Sequence, residues 1–522
     1  VAAFAPNIPA LYELHFGVPM AGAVLSALNF RLDETTLAAI LEQLEAKFIF
    51  VDHQYVEVVL RALDSLRQLI STTSGNIKLP ILVLIPDNND QKSSNVYNHH
   101  RYYQNLPPGT GTLNYNHLLE SAAHHGAAEF EIIRPNDERD PISVNYSSGS
   151  TGSPKGVVYS HRAVYLNSMA NILNMGMMTT SSTRQTTVFL WTVDMFRCNG
   201  WCFTWAMAAI GGTNVCLRNV SANIIFDAIS LHKVTHLCGK PIILNILAEA
   251  SGHKAHVKPL SSRVDVVVAG TLPSVQVLTK VTELGFNISY GYGMTEALGP
   301  AIIEPWRPDV DIKGCRLERN LITIEGFDVK DSSTMESVPS DGKTMGEIMF
   351  RGNTLMSGYL KNPKASEEAF KGGWYRTGDV GIRHPDGYIE MKDRAVDVVI
   401  CEGQAVSTLE VEAVLLCHPH VSEAAVVGRR RLHISSDCSA DHDQTTLCAF
   451  VKLKGSSGSS GGTSSQEIIE FCGQSLPAYM VPKAVIFGDL PVNPTGKVQK
   501  FVLRDKANGA IGSDGLDHLP LD

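Results

Sequence analysis

The stretch NYSSGSTGSPKGVVYSHRAV, residues 145–164, places a loop of hydroxyl side chains and glycines directly after a predicted strand. Glycines allow backbone N–H groups to approach a ligand closely, and hydroxyls and amides in such a turn cradle phosphate oxygens. Lys155 adds a positive charge, and the apolar helix predicted after Ser160 would bring its N-terminal end close to the same anion. The stretch predicts a phosphate-binding loop; the alternative is an ordinary Ser/Gly surface loop.

The phosphate loop is not of the Walker A type. That motif requires a glycine five positions before its Gly-Lys-[Ser/Thr] end. The nearest match ends at Gly342-Lys343-Thr344, and Ser337 stands where the first glycine is needed. The sequence therefore disfavours a P-loop nucleotide hydrolase.

Outside this loop, apolar runs alternate with helix-like segments and predict an α/β fold. LEQLEAKFIFVD (41–52) predicts a helix end followed by a buried strand, and KLPILVLIP (78–86) and RVDVVVAG (263–270) predict further buried strands. Shorter strands and many turn signals between 315 and 392 predict a β-rich subdomain. Residues 397–505 predict a small α+β domain, interrupted by the flexible run GSSGSSGGTSS (455–465).

Composition limits the class of protein. A chain of 522 residues is too long for one compact core, and its net charge of −9 disfavours a nucleic-acid partner. The ten cysteines form no CxxC pair, which indicates a reducing compartment. No apolar run of about 18 residues predicts a membrane span, and the C-terminal LPLD is not a Ser-Lys-Leu peroxisomal signal. The cytoplasm is the default expectation, while the peroxisome, another organelle and any oligomeric state stay open.

Five ordered motifs carry a family resemblance. SSGSTGSPKG resembles the phosphate loop of the adenylate-forming superfamily, which includes acyl-CoA synthetases and luciferases, and the plant acyl-activating enzymes near butyrate- and benzoate-CoA ligases are the most similar branch. The supporting segments are LWTVDMFRCNGW (190–201), GYGMTEALGP (291–300), WYRTGDVGIRHPDGYIEMKDR (374–394) and NPTGKVQK (493–500). The resemblance implies an ATP-dependent acid–thiol ligase with ATP, Mg²⁺ and CoA as cofactors.

The resemblance also implies roles for individual residues. The residues expected to hold the ATP phosphates are Ser147, Ser148, Ser150, Thr151 and Lys155. Tyr292 would stack on adenine beside Gly293, Gly270 and Thr271. Thr295 would contact the α-phosphate, and Glu296 would hold Mg²⁺, a hard cation that prefers oxygen ligands.

Further roles concern the ribose, the thiol and the acid. Asp379 and Arg394 would bind the ribose hydroxyls, and Gly403 would lie in the loop 401–407 that lines the thiol entry. Lys497 would stabilise charge developing on the carboxylate and the α-phosphate. The residues expected to line the pocket for a short- or medium-chain or aromatic monocarboxylic acid are Trp191, Met195, Arg197, Asn199 and Gly291.

The family pattern implies a domain division as well. A large domain is expected at 1–392, a hinge at 393–397 and a small mobile lid domain at 398–505, followed by a disordered tail at 506–522. Several dozen further residues are expected before Val1. Rotation about the hinge would remove Lys497 between adenylation and thioester formation.

Four substitutions depart from the pattern of the nearest relatives. Arg197 replaces His, Lys240 replaces a small residue, Val396 replaces Lys or Asp, and Glu402 replaces Gly; AGTLPS (269–274) also differs from AGAPPP. Two alternatives therefore stay open: an adenylate-forming enzyme with an acceptor other than CoA, and a degenerate member that binds nucleotide without turnover. A metal site at His232 and His236 is disfavoured, because VTHLCG predicts a strand start there.

Overall fold

The computed structural model describes residues 1–72, 78–87, 111–124, 130–147, 154–177, 186–253, 260–270, 273, 275–307, 316–317, 324–430, 445–454, 463–493 and 497–509. Two compact units divide the chain. The first comprises Val1–Phe327 and Phe350–Tyr375, and the second comprises Asp328–Met349 and Arg376–Asp522. The second unit thus includes 328–349 and 376–392, which the sequence assigns to the large domain; the limits 1–392, 393–397 and 398–505 remain predictions.

A parallel sheet of five strands opens the first unit. Its strands lie in the spatial order Ser26–Leu28, Ala2–Phe4, Phe48–Asp52, Ile81–Ile85 and Thr112–Asn114. Helices Glu34–Leu44 and Val56–Thr72 bury Leu41 and Leu63 in the core of this sheet. Parallel strands covered by helices are apolar along their whole length, which is why FIFVD and ILVLI were recognisable as strands.

A second sheet of six strands carries most of the remaining core of the first unit. Its strands lie in the order Gly299–Pro305, Phe286–Met294, Val264–Ala269, His236–Gly239, Val188–Trp191 and Thr213–Cys216. All neighbours are parallel except Gly299–Pro305, which runs antiparallel to Phe286–Met294. The valines of Val264–Ala269 are fully buried between the helices on either side.

The third sheet of the first unit differs from the sequence-based expectation at the phosphate loop. Pro141–Ser147 and Lys155–Ser160 form an antiparallel hairpin, and Gly358–Tyr359 pairs with the second strand. Helix His161–Asn174 begins one strand length, about 17 Å, beyond Lys155. The expected helix N-terminus near the phosphate loop is wrong, because KGVVYS forms a strand and directs the helix start to the opposite end of the hairpin, where the His161 N–H donates to the Asp140 carbonyl.

The other helices of the first unit are short or of medium length. They are Pro9–Met20, Tyr115–His124, Cys198–Trp201, Phe203–Ala209, Ala222–His232, Ile242–His253, Val275–Glu283 and Pro363–Ala369, with 3₁₀ turns His53–Tyr55, Thr295–Ala297 and Lys371–Gly373. A short strand, Arg316–Leu317, completes the described elements of this unit. Side-chain caps fix the starts of three helices of the first unit, which begin at Glu34, His161 and Ala222. Their capping residues Asp33, Ser160 and Ser221 each accept a backbone N–H of the first helical turn.

The second unit is rich in strands, as the sequence predicts. Ile389–Arg394, Tyr375–Arg383, Met345–Arg351 and Gly326–Lys330 follow one another in one sheet, and Val399–Cys401 and Gln404–Val406 form a hairpin. A three-stranded sheet contains Val421–Arg430, Thr445–Leu453 and Ala484–Phe487. Its helices are Thr408–Leu416, Ser465–Gly473 and Lys500–Gly509, with the 3₁₀ turn Ala478–Met480.

Two predictions about irregular segments fall largely outside the described residues. Of the run 455–465, residues 455–462 lie outside them, and Ser464 caps the helix that begins at Ser465. The expected disordered tail begins inside helix Lys500–Gly509, so residues 506–509 are helical; 510–522 lie outside the described residues. None of the described helices is long and apolar enough to cross a membrane.

Candidate active site

The hairpin of the third sheet places the two described ends of the phosphate loop side by side. Ser147 and Lys155 are direct cross-strand partners, and both are half-buried. The loop residues Ser148, Ser150 and Thr151 lie outside the described residues. The Lys155 ammonium lies 5.1 Å from the centre of the Tyr359 ring, a cation–π contact that holds the lysine beside the loop.

Tyr359 also joins the phosphate loop to Glu296. Its hydroxyl donates to Oε1 of Glu296 at 3.0 Å. Burial, followed by the charge of Glu296, raises the pKa of Tyr359, so the hydroxyl stays protonated and remains a donor. Glu296 is half-buried and has carboxylate oxygens, the donor type that suits Mg²⁺. Lys155 and Glu296, the predicted phosphate and Mg²⁺ ligands, therefore flank one tyrosine that sequence reasoning missed.

Strand Phe286–Met294 delivers the nucleotide-side residues to the turn Thr295–Ala297. The strand bulges between Tyr292 and Gly293, where a Cβ on Gly293 would come within 2.0 Å of the Gly299 carbonyl oxygen. Only glycine fits this close approach. The Tyr292 ring is 5% exposed and lies edge-on to Phe350 at 5.8 Å. Its stacking on adenine remains a prediction.

Two hydrogen bonds fix the backbone of Thr295 and Glu296. The Tyr159 hydroxyl donates to the Thr295 carbonyl at 2.7 Å, and the Met356 N–H donates to the Glu296 carbonyl at 2.9 Å. Complete burial raises the pKa of Tyr159 far above its usual value, so this phenol also stays protonated. The backbone of the turn that carries Thr295 and Glu296 is therefore held by two hydrogen bonds from other segments.

The predicted acid-pocket segment is held by a residue from the other end of the chain. The Asn7 amide donates to the carbonyls of Trp191 and Val193 at 3.0 and 2.8 Å and accepts the Met195 N–H at 2.8 Å. The side chains of Trp191 and Met195 are fully buried. Gly291 lies against Pro300, where a Cβ would approach within 2.9 Å of the proline Cβ.

Arg197 lies in an ionic cluster at the end of that segment. Its Nε donates to Oδ2 of Asp194 at 3.0 Å, and Arg31 binds the same carboxylate through both terminal nitrogens, at 3.0 and 3.2 Å. Its guanidinium also lies 5.1 Å from the Phe196 ring centre. Two arginines share one carboxylate, which leaves the cluster with a net positive charge.

Beyond Arg197 the chain makes a left-handed turn. Residues 198–202 all have φ between +44° and +63°, and only one of them, Gly200, is a glycine. Asn199 is fully buried, and its carboxamide oxygen accepts hydrogen bonds from Ser143 and Asn145. The Cys202 thiol donates to the carbonyl of Leu298 at 3.8 Å, directly after the turn Thr295–Ala297. The turn therefore contacts the residues of the nucleotide side.

Gly270 ends strand Val264–Ala269 with φ of +125° and is exposed; its neighbour Thr271 lies outside the described residues.

His236 belongs to a buried strand and its Nε2 lies 3.1 Å from the Met175 carbonyl, whereas His232 is exposed at a helix end. His232 and His236 thus belong to different elements, and the described residues contain no cluster of three or more metal-ligating side chains.

The second unit contains the expected ribose-binding pair. Asp379 and Arg394 are cross-strand partners, and Nε of Arg394 lies 2.8 Å from Oδ1 of Asp379. Asp379 is buried to 2% exposure, while Arg394 is largely exposed. The antiparallel pairing of neighbouring strands brings Asp379 of RTGD and Arg394 of KDR to one place.

The expected hinge is fastened on both sides within the second unit. Oδ2 of Asp393 accepts the backbone N–H and the hydroxyl of Thr408, each at 2.6 Å. Arg504 donates to the Val396 carbonyl at 2.9 Å and pairs with Asp397. Val396 itself is 68% exposed.

Lys497 and Gly403 lie on turns of the second unit. The Lys497 N–H donates to the Asn493 side chain at 3.0 Å, and its carbonyl accepts the Asn493 N–H at 2.9 Å, so the lysine closes a short loop and is exposed. Glu402 and Gly403 form the two-residue connection between Val399–Cys401 and Gln404–Val406, with φ of +51° and +76°.

Comparison with known proteins places this geometry in a family. The model of the AMP-binding enzyme family matches residues 1–360, and that of the AMP-binding enzyme C-terminal domain matches residues 410–497. The chain is 43% identical to an acetate–CoA ligase of Humulus lupulus, over 99% of this chain and 87% of that protein. It is 40% identical to a peroxisomal benzoate–CoA ligase of Arabidopsis thaliana, over 99% and 86%.

The fold is shared with a solved structure of lower sequence similarity. O-succinylbenzoate coenzyme A synthetase of Bacillus subtilis, in complex with ATP and magnesium ion, superposes with a TM-score of 0.71 at 21% identity, covering 97% of this chain and 89% of that chain. The α/β architecture with a smaller C-terminal domain and the resemblance to plant acyl-activating enzymes are confirmed. The chain belongs to the family of AMP-binding enzymes.

Proposed function

We propose that the chain converts a short- or medium-chain fatty acid, or an aromatic monocarboxylic acid, to its CoA thioester. The chain is an ATP-dependent carboxylate–CoA ligase whose cofactors are ATP, Mg²⁺ and CoA. The range of acids is supported by two relatives, one named for acetate and the other for benzoate. The observation that carries the proposal is the contact of Tyr359 with both Lys155 and Glu296, which assembles a cation and a carboxylate at the mouth of the phosphate loop.

The chemistry requires no protein nucleophile. A carboxylate oxygen of the acid attacks the α-phosphorus of ATP, the bond to the terminal two phosphates breaks, and pyrophosphate leaves. The CoA sulfur, having lost its proton, then attacks the acyl carbon, and AMP leaves. Catalysis therefore depends on positioning and on charges placed where negative charge develops.

We assign the roles as the motifs suggest. Ser147, Lys155 and the loop residues Ser148, Ser150 and Thr151 hold the phosphates, and Thr295 contacts the α-phosphate. Mg²⁺, held by Glu296, would supply charge that neutralises the phosphate oxygens. Asp379 accepts from the ribose hydroxyls, since a carboxylate offers two acceptor oxygens for two vicinal donors. Lys497 supplies the mobile positive charge.

The test is acid-dependent exchange of labelled pyrophosphate into ATP, with acids from acetate to decanoate, benzoates and dicarboxylates. We expect exchange with some monocarboxylates and a loss of about 10²- to 10³-fold in Lys497→Ala. Lys483→Ala, which removes another exposed lysine of the second unit, should leave the exchange unchanged. CoA should then convert the adenylate to a thioester.

Each other outcome has a definite meaning. Exchange without thioester formation would indicate an acceptor other than CoA. Binding of ATP with no exchange for any acid would contradict the proposal. Equal exchange in Lys497→Ala and the wild type would remove the role assigned to that lysine.

For the compartment, we propose the cytoplasm, with the peroxisome as the rival location. The rival is supported by the benzoate–CoA ligase relative, which is named as peroxisomal. Fractionation of cells expressing the full-length protein, with a peroxisomal marker enzyme alongside, distinguishes the two.

A further inference from the structure

The left-handed turn at residues 198–202 is costly for the residues that form it. For L-residues other than glycine the left-handed conformation costs roughly 1–2 kcal/mol per residue. Cys198, Trp201 and Cys202 adopt it with φ of +48°, +55° and +63°. Such strain persists only where surrounding structure over-determines it, and it concentrates at functional sites.

The surrounding structure here is a set of buried polar side chains. The Asn199 N–H donates to Oδ1 of Asn145 at 2.9 Å, and the Asn199 carbonyl accepts from the Thr204 hydroxyl at 3.0 Å. Asn171 donates to the Trp201 carbonyl at 2.7 Å, and the Ser168 hydroxyl, which lies 2.7 Å from the Val164 carbonyl, is also 3.2 Å from the Cys202 carbonyl. The backbone groups of the turn are thus paired with side chains from three other segments.

Asn145 and Asn199 form the centre of this network. Asn145 donates to the Asn199 carboxamide oxygen and, at 2.9 Å, to the Ser143 hydroxyl; Ser143 donates to the same carboxamide oxygen. These three side chains are at most 1% exposed. Among the described residues Nδ2 of Asn199 has no acceptor. A buried donor without a partner costs about 1–3 kcal/mol, so this asparagine specifies a conformation at the expense of stability.

The network connects three parts of the site. Asn145 lies two residues before Ser147, on the strand that enters the phosphate loop. The turn directly follows Arg197, and its Cys202 thiol donates to the carbonyl of Leu298 at 3.8 Å, directly after the turn Thr295–Ala297. A shift of the turn would therefore move the end of the acid-binding segment relative to the α-phosphate contact.

We propose that Asn145 and Asn199 are positioning residues, whose buried hydrogen bonds hold the left-handed turn 198–202 against Thr295 and so fix the acid relative to the α-phosphate. This inference rests on the proposed function for its kinetic consequence. Its structural part stands independently, because it concerns only the conformation of the turn, in which Cys198 is 8% exposed.

Four variants separate backbone strain from side-chain bonding. Asn199→Gly tolerates positive φ but removes the carboxamide, whereas Asn199→Ala removes the carboxamide and keeps the strain. Asn145→Asp retains the acceptor for the Asn199 N–H, and Asn145→Ala removes it. Asn223→Ala, on the exposed face of helix Ala222–His232, is the control.

A positioning role predicts that the kinetic constants for the acid change while the binding of ATP does not. Asn145→Ala and Asn199→Gly should raise KM for the acid and lower kcat of pyrophosphate exchange, each at least tenfold, while the rise in Tm produced by ATP is retained. The double variant should lose no more than the worse single variant, since both act through one network. Asn145→Asp should recover part of the loss.

A second readout does not require turnover. Alkylation of Cys198 by iodoacetamide, followed by peptide mass spectrometry, should be at least tenfold faster in Asn145→Ala than in the wild type or in Asn223→Ala. Slow alkylation in every variant, or a lower Tm with unchanged KM for the acid, would overturn the positioning role. If the wild type shows no exchange but Cys198 becomes reactive in Asn145→Ala, the proposed function fails while the role of the network in holding the turn survives.

Discussion

We propose that the identity of Arg197 affects the choice of acid. Its guanidinium is tied to Asp194 and lies over the Phe196 ring, so its position is defined rather than free in solvent. Arg is longer than the His that the family resemblance implies at this position, and it is always charged, so in the proposed pocket it would reduce the room for the acyl chain and disfavour burial of apolar surface beside it.

Replacing Arg197 with His should widen the range of acids. We expect kcat/KM for decanoate and benzoate, relative to acetate, to rise at least tenfold, which corresponds to about 1.4 kcal/mol, or roughly two buried methylenes. Pyrophosphate exchange across the acid panel measures the ratio. Arg31→Met removes the other arginine on Asp194 and should leave the profile unchanged; a profile unaltered in both variants would show that Arg197 does not limit the pocket.

The sequence motifs alone did not reveal several residues that hold the candidate site residues in place. Glu296 was identifiable from its motif, but Tyr359 lies 63 positions away in sequence and belongs to no motif. Asn7, which holds the segment 191–195, is still more remote. Such contacts follow from which strands become neighbours, and a single sequence records that only indirectly.

At the level of elements, local pattern was informative wherever burial was uniform. FIFVD, ILVLI and VDVVVA became parallel strands because continuous β-branched and aliphatic residues suit strands covered on both faces. The sequence misled where a hairpin replaced an expected loop-to-helix connection after Lys155. The pair Asn199-Gly200 favours positive φ, but the sequence did not indicate that Cys198, Trp201 and Cys202 would share it, since Cys and Trp have no such preference. The distant side chains of Asn145 and Asn171 support that conformation.

The hairpin turn at Glu402 and Gly403 contains a residue with backbone strain, Glu402. Two-residue turns with positive φ at both positions favour Asn-Gly or Gly-Gly, and glutamate at the first position is strained. Glu402→Gly should therefore raise the free energy of unfolding of the second unit by about 0.5–1 kcal/mol, after the entropy cost of glycine is deducted.

Urea unfolding of the full chain measures this gain. The matched control is Glu402→Ala, which removes the same charge but keeps a Cβ in the left-handed region, and which should give no gain. Equal stabilisation by both substitutions would assign the effect to charge rather than to backbone strain. Faster thioester formation in Glu402→Gly would in addition link the residue to the CoA half-reaction.

For the whole molecule, the family models cover residues 1–360 and 410–497, and the motifs were sufficient to identify the fold. The boundary between the two units was harder to derive, because residues 376–392 belong to the same unit as the C-terminal residues. Asp393 binds Thr408, and Arg504 binds Asp397. A single sequence does not show on which side of the expected hinge these residues make their contacts.

Global stability should depend on pH through His15. This side chain is fully buried, its Nδ1 lies 2.7 Å from the Leu11 carbonyl, and burial lowers its pKa to about 4 from 6.5. Between these values the unfolded chain binds a proton that the folded chain does not, so the free energy of unfolding should fall as the pH falls. The full loss, reached below pH 4, is roughly 3 kcal/mol.

Urea unfolding at pH 7.5 and pH 5 measures this dependence. His15→Leu should reduce the loss on acidification, whereas His232→Leu, at an exposed histidine, should leave it unchanged. Identical losses in the wild type and in His15→Leu would contradict the assignment.

The left-handed turn has a consequence for attempts to redesign the enzyme by random mutagenesis. Residues with branching at Cβ are strongly disfavoured at positive φ, so library members that carry them at 198–202 should be destabilised. The segment 192–197 ends just before the turn and does not share its backbone restriction. Variation in acid preference should therefore be sought there, and the five residues that follow should be left as a fixed frame.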